Sequence, residues 1–377
     1  MIGAGLRAEI GTKSRVTATL RFVITISTAL LLSGLFHSPQ LGGFAALGAF
    51  MALLSDTESD LISRLGGVAI TFVGVMCAAL LGVVLKNMEY GKWLVIALVC
   101  FGQNLVTFAE KFWWLWGKYV LVFLLISIFD FTPDLMAFVG YSVGFSLAMA
   151  AIVLDHFVWR YEKLSLRPMA QLKLVEGGNR NSYAYAVIST ATLICALSCS
   201  FLFDFSEPGW VGITALYLLN SNVAAGYKRV VQRILGTLLA YFLVILIFPH
   251  IDDKLVLGAL IVASSAGIPV FVGGNYTCMT FFITCYILFV LDWLMRAYGG
   301  DYSILIWRIW DTLMAAGWVA FGLGVLYLWE KYQKKATLGP TSQETRIDKI
   351  DPQTRINRLR KQKVLHRKSH NQERFHG

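Results

Sequence analysis

Residues 65–85 read LGGVAITFVGVMCAALLGVVL, with no Asp, Glu, Lys, Arg or His among them. A helix of about 20 such residues crosses the hydrocarbon core of a bilayer. Similar stretches recur along the chain, divided by short polar breaks. The first half reads as Val16–Phe36, Gly42–Leu54, Leu65–Leu85, Trp93–Phe108, Trp113–Phe129 and Leu135–Val158. The second reads as Tyr183–Phe203, Trp210–Leu219, Ile234–Phe248, Val256–Val272, Tyr276–Leu291 and Ile304–Leu328. Several are shorter than a full span. Such pieces fit a membrane protein only when buried among other helices or lining a cavity. The expected fold is all-α, a polytopic transmembrane helical bundle of about twelve hydrophobic segments.

Composition agrees. Of 377 residues, 56% are hydrophobic and only 15% charged, with a mean hydropathy of +0.62. A soluble domain carries about 25% charged residues. Residues 16–36 follow Arg7, Lys13 and Arg15 as a signal peptide would. The apolar run is too long for one and no small-x-small cleavage site follows, so it reads as the first membrane helix.

The formal net charge of +10 is concentrated after Trp329. It speaks for one end of the chain, not for nucleic acid. Arg7, Lys13 and Arg15 precede segment one. Arg160, Lys163, Arg167, Lys173 and Arg180 lie between the halves, and Lys228, Arg229 and Arg233 follow segment eight. The opposite loops carry mainly Lys86, Lys92, Lys254 and Arg296. By the positive-inside rule both termini are expected in the cytoplasm. The expected organisation is a cytoplasmic N-terminus (1–15), a membrane half (16–159), a cytoplasmic linker (160–182), a second membrane half (183–329) and a basic tail (330–377). The tail is too polar for a packed core, which leaves disorder or a surface helix on anionic lipid.

The halves resemble one another. Pro39 precedes Arg64-Leu65-Gly66-Gly67 by the same interval as Pro208 precedes Arg233-Ile234-Leu235-Gly236. At that offset Gly43 matches Gly212, Ala46 matches Ala215, Leu47 matches Leu216 and Gly67 matches Gly236. A duplication explains this register. With six segments per half, the repeats run parallel.

No enzyme signature is present: neither a Walker phosphate loop nor a His-Glu-x-x-His or nucleophile-elbow pattern. Cys77, Cys100, Cys195, Cys199, Cys278 and Cys285 lie in apolar stretches without Cys-x-x-Cys spacing, as small hydrophobes do. His366 and His370 share a spacing suited to one helix face but lie in the solvated tail. No metal or cofactor is expected.

Ionisable residues at membrane depth carry the functional reading, because they are costly there and turn inward. Arg64 and Arg233 open equivalent segments. They read either as an anion-attracting pair at the cytoplasmic mouth or as ordinary anchors of helix starts. Arg308 and Asp311 share a helix face, as a neutral pair or as a gate. Lys118 lies inside segment five after Glu110 and Lys111, either snorkelling or touching substrate. Arg21 is one turn into segment one. Asp155 beside His156 is either an interface pair or a carrier of a coupling proton. Asp292 and Arg296 read as a local pair. Tryptophans at segment ends fit the interfacial belt.

The block from Trp210 through Thr214-Ala215 to Arg233-Ile234-Leu235-Gly236-Thr237 resembles the fusaric acid resistance family of bacterial inner-membrane proteins, within the aromatic acid exporter superfamily. Arg-x-x-Gly-Thr at a helix start is its hallmark, which brings Gly236 and Thr237 into the candidate pathway; the Arg308/Asp311 pair also looks like a family feature. The first half departs, with Val68 in place of the threonine. A sizeable soluble domain of many relatives is nearly absent here. The superfamily resemblance extends to plant malate-type channels built from two six-helix subunits around one pore. It implies a single-chain pseudo-dimer with its pathway between the halves.

The function expected is secondary efflux of small organic anions such as aromatic carboxylates, driven by a proton gradient or by the anion's own gradient. The alternatives are a channel-like anion pore, and a membrane scaffold or accessory subunit whose basic tail docks a partner. The partners expected are the anion, membrane lipids, and a partner subunit or further copies of the chain.

Overall fold

The structure is a computed structural model and describes residues 2–56, 61–106, 111–159, 180–205, 207–251, 253–272, 274–298 and 303–337. Most of the linker (160–179), the tail beyond Thr337 with His366 and His370, and Glu110 lie outside the described residues. The rest forms two units, Met1–Leu326 and a second starting at Tyr327, whose described part is helical to Thr337.

Twelve α-helices follow in order among the described residues: α1 (Ile2–Leu35), α2 (Pro39–Ser55), α3 (Leu61–Leu85), α4 (Glu89–Val106), α5 (Lys111–Leu125), α6 (Leu135–Trp159), α7 (Arg180–Leu202), α8 (Pro208–Leu218), α9 (Val223–Ile247), α10 (Lys254–Phe271), α11 (Tyr276–Tyr298) and α12 (Ser303–Thr337). Nine are long and apolar enough to cross a membrane. The chain is a multi-pass, all-α membrane protein.

The short helices α2 and α8 are buried along most of their length. Almost every residue of α2 from Gly42 to Leu53 is inaccessible, as is α8 from Pro208 to Leu216. Neither needs a lipid-facing length, because neighbouring helices surround both. Each opens on a proline at its first turn, where the missing N–H leaves no bond unmade. Before each, the chain turns through one non-glycine residue at positive φ, His37 and Asp204. The bonding recurs: Ser38 N–H reaches the Ser33 carbonyl at 3.0 Å and Phe205 N–H reaches that of Ser200 at 2.9 Å. From these turns to the prolines, the second half holds two extra residues, Ser206 and Glu207.

Packing repeats as well. α3 lies on α5 and α9 on α11; α1 lies on α2 and α7 on α8. The halves exchange partners, α1 with α10 and α7 with α4, and α11 with α2 and α5 with α8. Gly67 faces Phe112 at the start of α5, while Gly236 faces Thr277 and Thr280 at the start of α11. The last helices differ. α6 lies close along α2, where a Cβ on Gly48 would come 2.7 Å from the Tyr141 carbonyl oxygen and one on Gly144 would strike the Ala45 carbonyl. Small residues allow that approach. Among the described residues α12 makes no comparably close backbone packing.

The expected segment starting at Ile234 begins eleven residues earlier, at Val223, where Asn222 caps the helix by accepting from Ala225 N–H at 3.0 Å. Polarity hid this start, because Lys228, Arg229 and Arg233 interrupt the apolar run. Arg64 therefore sits in the first turn of α3, but Arg233 sits nearly three turns inside α9. The equal sequence intervals are divided differently between short and long helix in the two halves.

Candidate functional site

A cavity of about 1280 Å³ is lined by residues of α1, α2, α5, α6, α8, α9, α10, α11 and α12. Its two ends differ in charge. On α5, Lys118 and Asp130 mark them, twelve residues apart, about 18 Å along a helix. On α8, Tyr217 lies toward the first end, and Trp210, with Glu207 just before the helix, toward the second.

The basic end carries Arg15, Lys228, Arg229, Arg233 and Lys118 on its wall. None of the five has an ion pair with a carboxylate among the described residues. Arg229 and Arg233 are one turn apart on one face of α9, where like charges repel. The Lys118 ammonium is buried. It donates to the Leu216 carbonyl at 3.0 Å and lies 4.2 Å from the Trp114 ring centroid and 5.3 Å from that of Tyr217. Leu216 is in the last turn of α8, whose free carbonyls carry the negative end of the helix dipole. The Arg229 guanidinium lies 5.9 Å from the Tyr276 ring centroid.

Arg21 and Arg64 are different. Arg64 binds Asp56 through two bonds of 2.8 and 2.7 Å and Asp155 at 3.1 Å. Arg21 pairs with the same two, Asp56 closely and Asp155 at 3.3 Å. Among the described residues two guanidinium groups and two carboxylates balance in a knot joining α1, the end of α2, the start of α3 and the end of α6, with Arg64 and Asp155 buried and Arg21 and Asp56 partly so. Arg21 and Asp56 touch the cavity; Arg64 and Asp155 are not among its lining residues. His156, next to Asp155, packs edge-on against Phe157 at 5.9 Å.

The acidic end is built from three elements. α5 finishes in a single π-helical turn, Ile126–Asp130, whose wider winding brings Asp130 to the start of α8. Asp130 there accepts from Gly209 N–H at 2.8 Å, and a Cβ on Gly209 would strike its carboxylate. Glu207 pairs closely with Arg308 from α12. The Arg308 guanidinium also lies 3.8 Å from the Trp210 ring centroid and 4.0 Å from Asp311. Asp130, Glu207 and Arg308 face the cavity.

Of the residues singled out in the sequence, the cavity thus collects Arg21, Lys118, Arg233 and Arg308, with Asp311 beside Arg308. Gly236 and Thr237 are buried on α9, Gly236 against α11, off the cavity wall. Asp292 and Arg296 pair within α11 at 2.9 Å. Sequence reading missed Asp56, Asp130 and Glu207. Glu207 had a signal, since it is half of the insertion before Pro208; Asp130 had only its place at the edge of an apolar run. Trp114 and Trp210 are the interfacial-looking tryptophans whose rings meet buried cations.

Residues 179–322 match a family model described as fusaric acid resistance protein-like. A relative from Haemophilus influenzae, described as an uncharacterized protein, is 31% identical over 150 residues, which are 39% of this chain and 20% of the relative. The chain thus spans about a fifth of that relative's length. No solved structure matches the chain.

Proposed function

We propose that this membrane protein, whose residues 179–322 match a fusaric acid resistance protein-like model, is a secondary transporter moving small organic anions, aromatic carboxylates among them, through its central cavity. The observation that carries this is the basic end of that cavity. Arg229 and Arg233 repel one another and have no carboxylate partner among the described residues. Such charge is stable when an anion visits it, and low-dielectric walls focus its field. Trp114, Tyr217 and Tyr276 beside the cations offer faces to an aromatic ring.

In the proposed orientation the basic end opens to the cytoplasm of a bacterial cell and the chain resides in the cytoplasmic membrane, both termini inside, as the positive clusters favour. Anions gather at Arg229 and Arg233, pass Lys118 and the aromatic middle, and leave past Arg308. Movement down the anion's own gradient or against a proton gradient supplies the energy.

The test is flux of labelled benzoate in liposomes holding the purified chain, with protein-free liposomes subtracted. Arg233→Gln is compared with Lys254→Gln, an exposed residue opening α10 away from the cavity wall. The first variant lowers initial flux per folded molecule and the second leaves it unchanged. Equal flux in Arg233→Gln and the parent chain removes Arg233 from the pathway; no flux in the parent chain removes the transport reading.

A further inference from the structure

We propose that the cluster of Asp130, Glu207, Arg308 and Asp311 is a proton-binding site that controls passage of the anion through the acidic end of the cavity. The proposal rests on the transport reading above and assigns its proton dependence to particular groups.

The charge count is the first observation. Three carboxyl groups from three separate parts of the chain share the electrostatic reach of one guanidinium. Fully ionised, they leave an excess of two negative charges. The knot around Arg64 shows the contrast, since there two carboxylates meet two arginines. An uncompensated charge in a membrane interior must find a counter-charge or be neutralised.

The second observation is the state of the polar atoms. One oxygen of Asp130, one of Asp311 and the Nε and Nη1 of Arg308 are buried with no hydrogen-bond partner. Asp311 is 2% exposed and Arg308 7%. The cluster has unused acceptors and no further cation among the described residues to meet them. Three other cations at this end are engaged elsewhere. Lys86 donates to Thr132, Lys92 lies 5.9 Å from the Phe129 and Phe201 ring centroids, and Arg296 pairs with Asp292. From α9, Tyr241 turns toward the cluster with its hydroxyl unpaired.

The consequence for an anion follows from sign. With its carboxyls ionised, the end repels anions and Arg308 is held by Glu207 against Trp210. A proton taken up by Asp130 or Asp311 removes one negative charge and loosens the hold on Arg308, which then meets the anion. In the proposed orientation this end faces the more acidic side of an energised bacterial membrane, so protons arrive where anions leave. Glu207 lies in the two-residue insertion that the first half lacks, so the first half has no equivalent carboxylate before Pro39. The cluster, built from both halves, therefore has no counterpart at Pro39.

Two measurements test it. The first is benzoate flux in liposomes at equal pH on both sides, stepped from neutral to mildly acidic, with protein-free leak subtracted. The parent chain speeds up severalfold on acidification. Asp130→Asn and Asp311→Asn, each imitating a protonated carboxyl, run at the acidic rate already at neutral pH, and their pH dependence flattens. An unchanged pH profile in both variants overturns the proposal, as does a parent flux that follows sodium concentration and not pH. The second needs no transport. In infrared difference spectra of the purified chain, the protonated-carboxyl C=O stretch grows on acidification. The growth disappears in at least one of Asp130→Asn and Asp311→Asn. If the parent chain moves no benzoate but this band behaves as stated, the transport reading falls and the proton site stands. If no variant alters the band, the site falls whatever the flux.

Discussion

Arg64 on α3 and Asp155 on α6, ninety-one residues apart, meet at 3.1 Å in a four-residue ion network. With Arg21 and Asp56 its charges balance among the described residues, so neither arginine is a free cation. Removing one member strands a buried charge, which typically destabilises by about 3–5 kcal/mol. Arg64→Gln should therefore lower the thermal midpoint of the detergent-solubilised protein, with little effect on benzoate flux per molecule that remains folded. Arg64→Met combined with Asp155→Leu keeps the Arg21–Asp56 pair balanced and should recover much of the loss. A double variant no more stable than Arg64→Gln would count against the network.

At the basic end the order of effects is set by what each cation touches. Arg229 and Arg233 have no compensating carboxylate, whereas Lys118 is held by the Leu216 carbonyl and the Trp114 ring. Arg229→Gln and Arg233→Gln should each slow benzoate flux, and added salt should slow the parent chain more than either variant, because salt screens exposed charge. Lys118→Met should in addition loosen the junction of α5 and α8, so its loss is expected in thermal stability as well as in flux. Identical salt dependence in the parent and both arginine variants would sink this assignment.

The contact of α2 with α6 predicts a sharp split between glycines. A Cβ on Gly48 would come 2.7 Å from the Tyr141 carbonyl and one on Gly144 would strike the Ala45 carbonyl, whereas one on Gly66 meets nothing within 4 Å. Gly48→Ala and Gly144→Ala should each destabilise by about 1–3 kcal/mol, as overpacking does. Gly66→Ala should be neutral or stabilising by up to about 1 kcal/mol, because alanine is the better helix former. Thermal midpoints of the three purified variants decide it.

Orientation is open to a labelling test in a background without the native cysteines. Ala224 and Lys254 are both exposed and open helices at opposite ends of α9 and its neighbour α10. In intact cells an impermeant thiol reagent should label Lys254→Cys and leave Ala224→Cys unmodified until the cells are broken. The reverse pattern would turn the proposed direction around.

Helix number, membrane character and the repeat were legible in the sequence, because each is set locally. A lipid-buried segment must satisfy its own backbone hydrogen bonds, so its length and apolarity show residue by residue. The equal interval from Pro39 to Arg64 and from Pro208 to Arg233 likewise survives in the chain whatever the packing. The start of α9 was not legible, because a cap at Asn222 and three basic residues look like a loop when only hydropathy is read. The roles of the charges were decided by tertiary structure alone. Arg64 and Arg233 occupy matching places in the sequence, yet Asp56 and Asp155 neutralise the first and no described carboxylate reaches the second. Asp130, Glu207 and Asp311 become one cluster only when the end of α5, the approach to α8 and the start of α12 converge on Arg308. Charge compensation acts through space at a few ångströms, and that distance is fixed by how the helices pack.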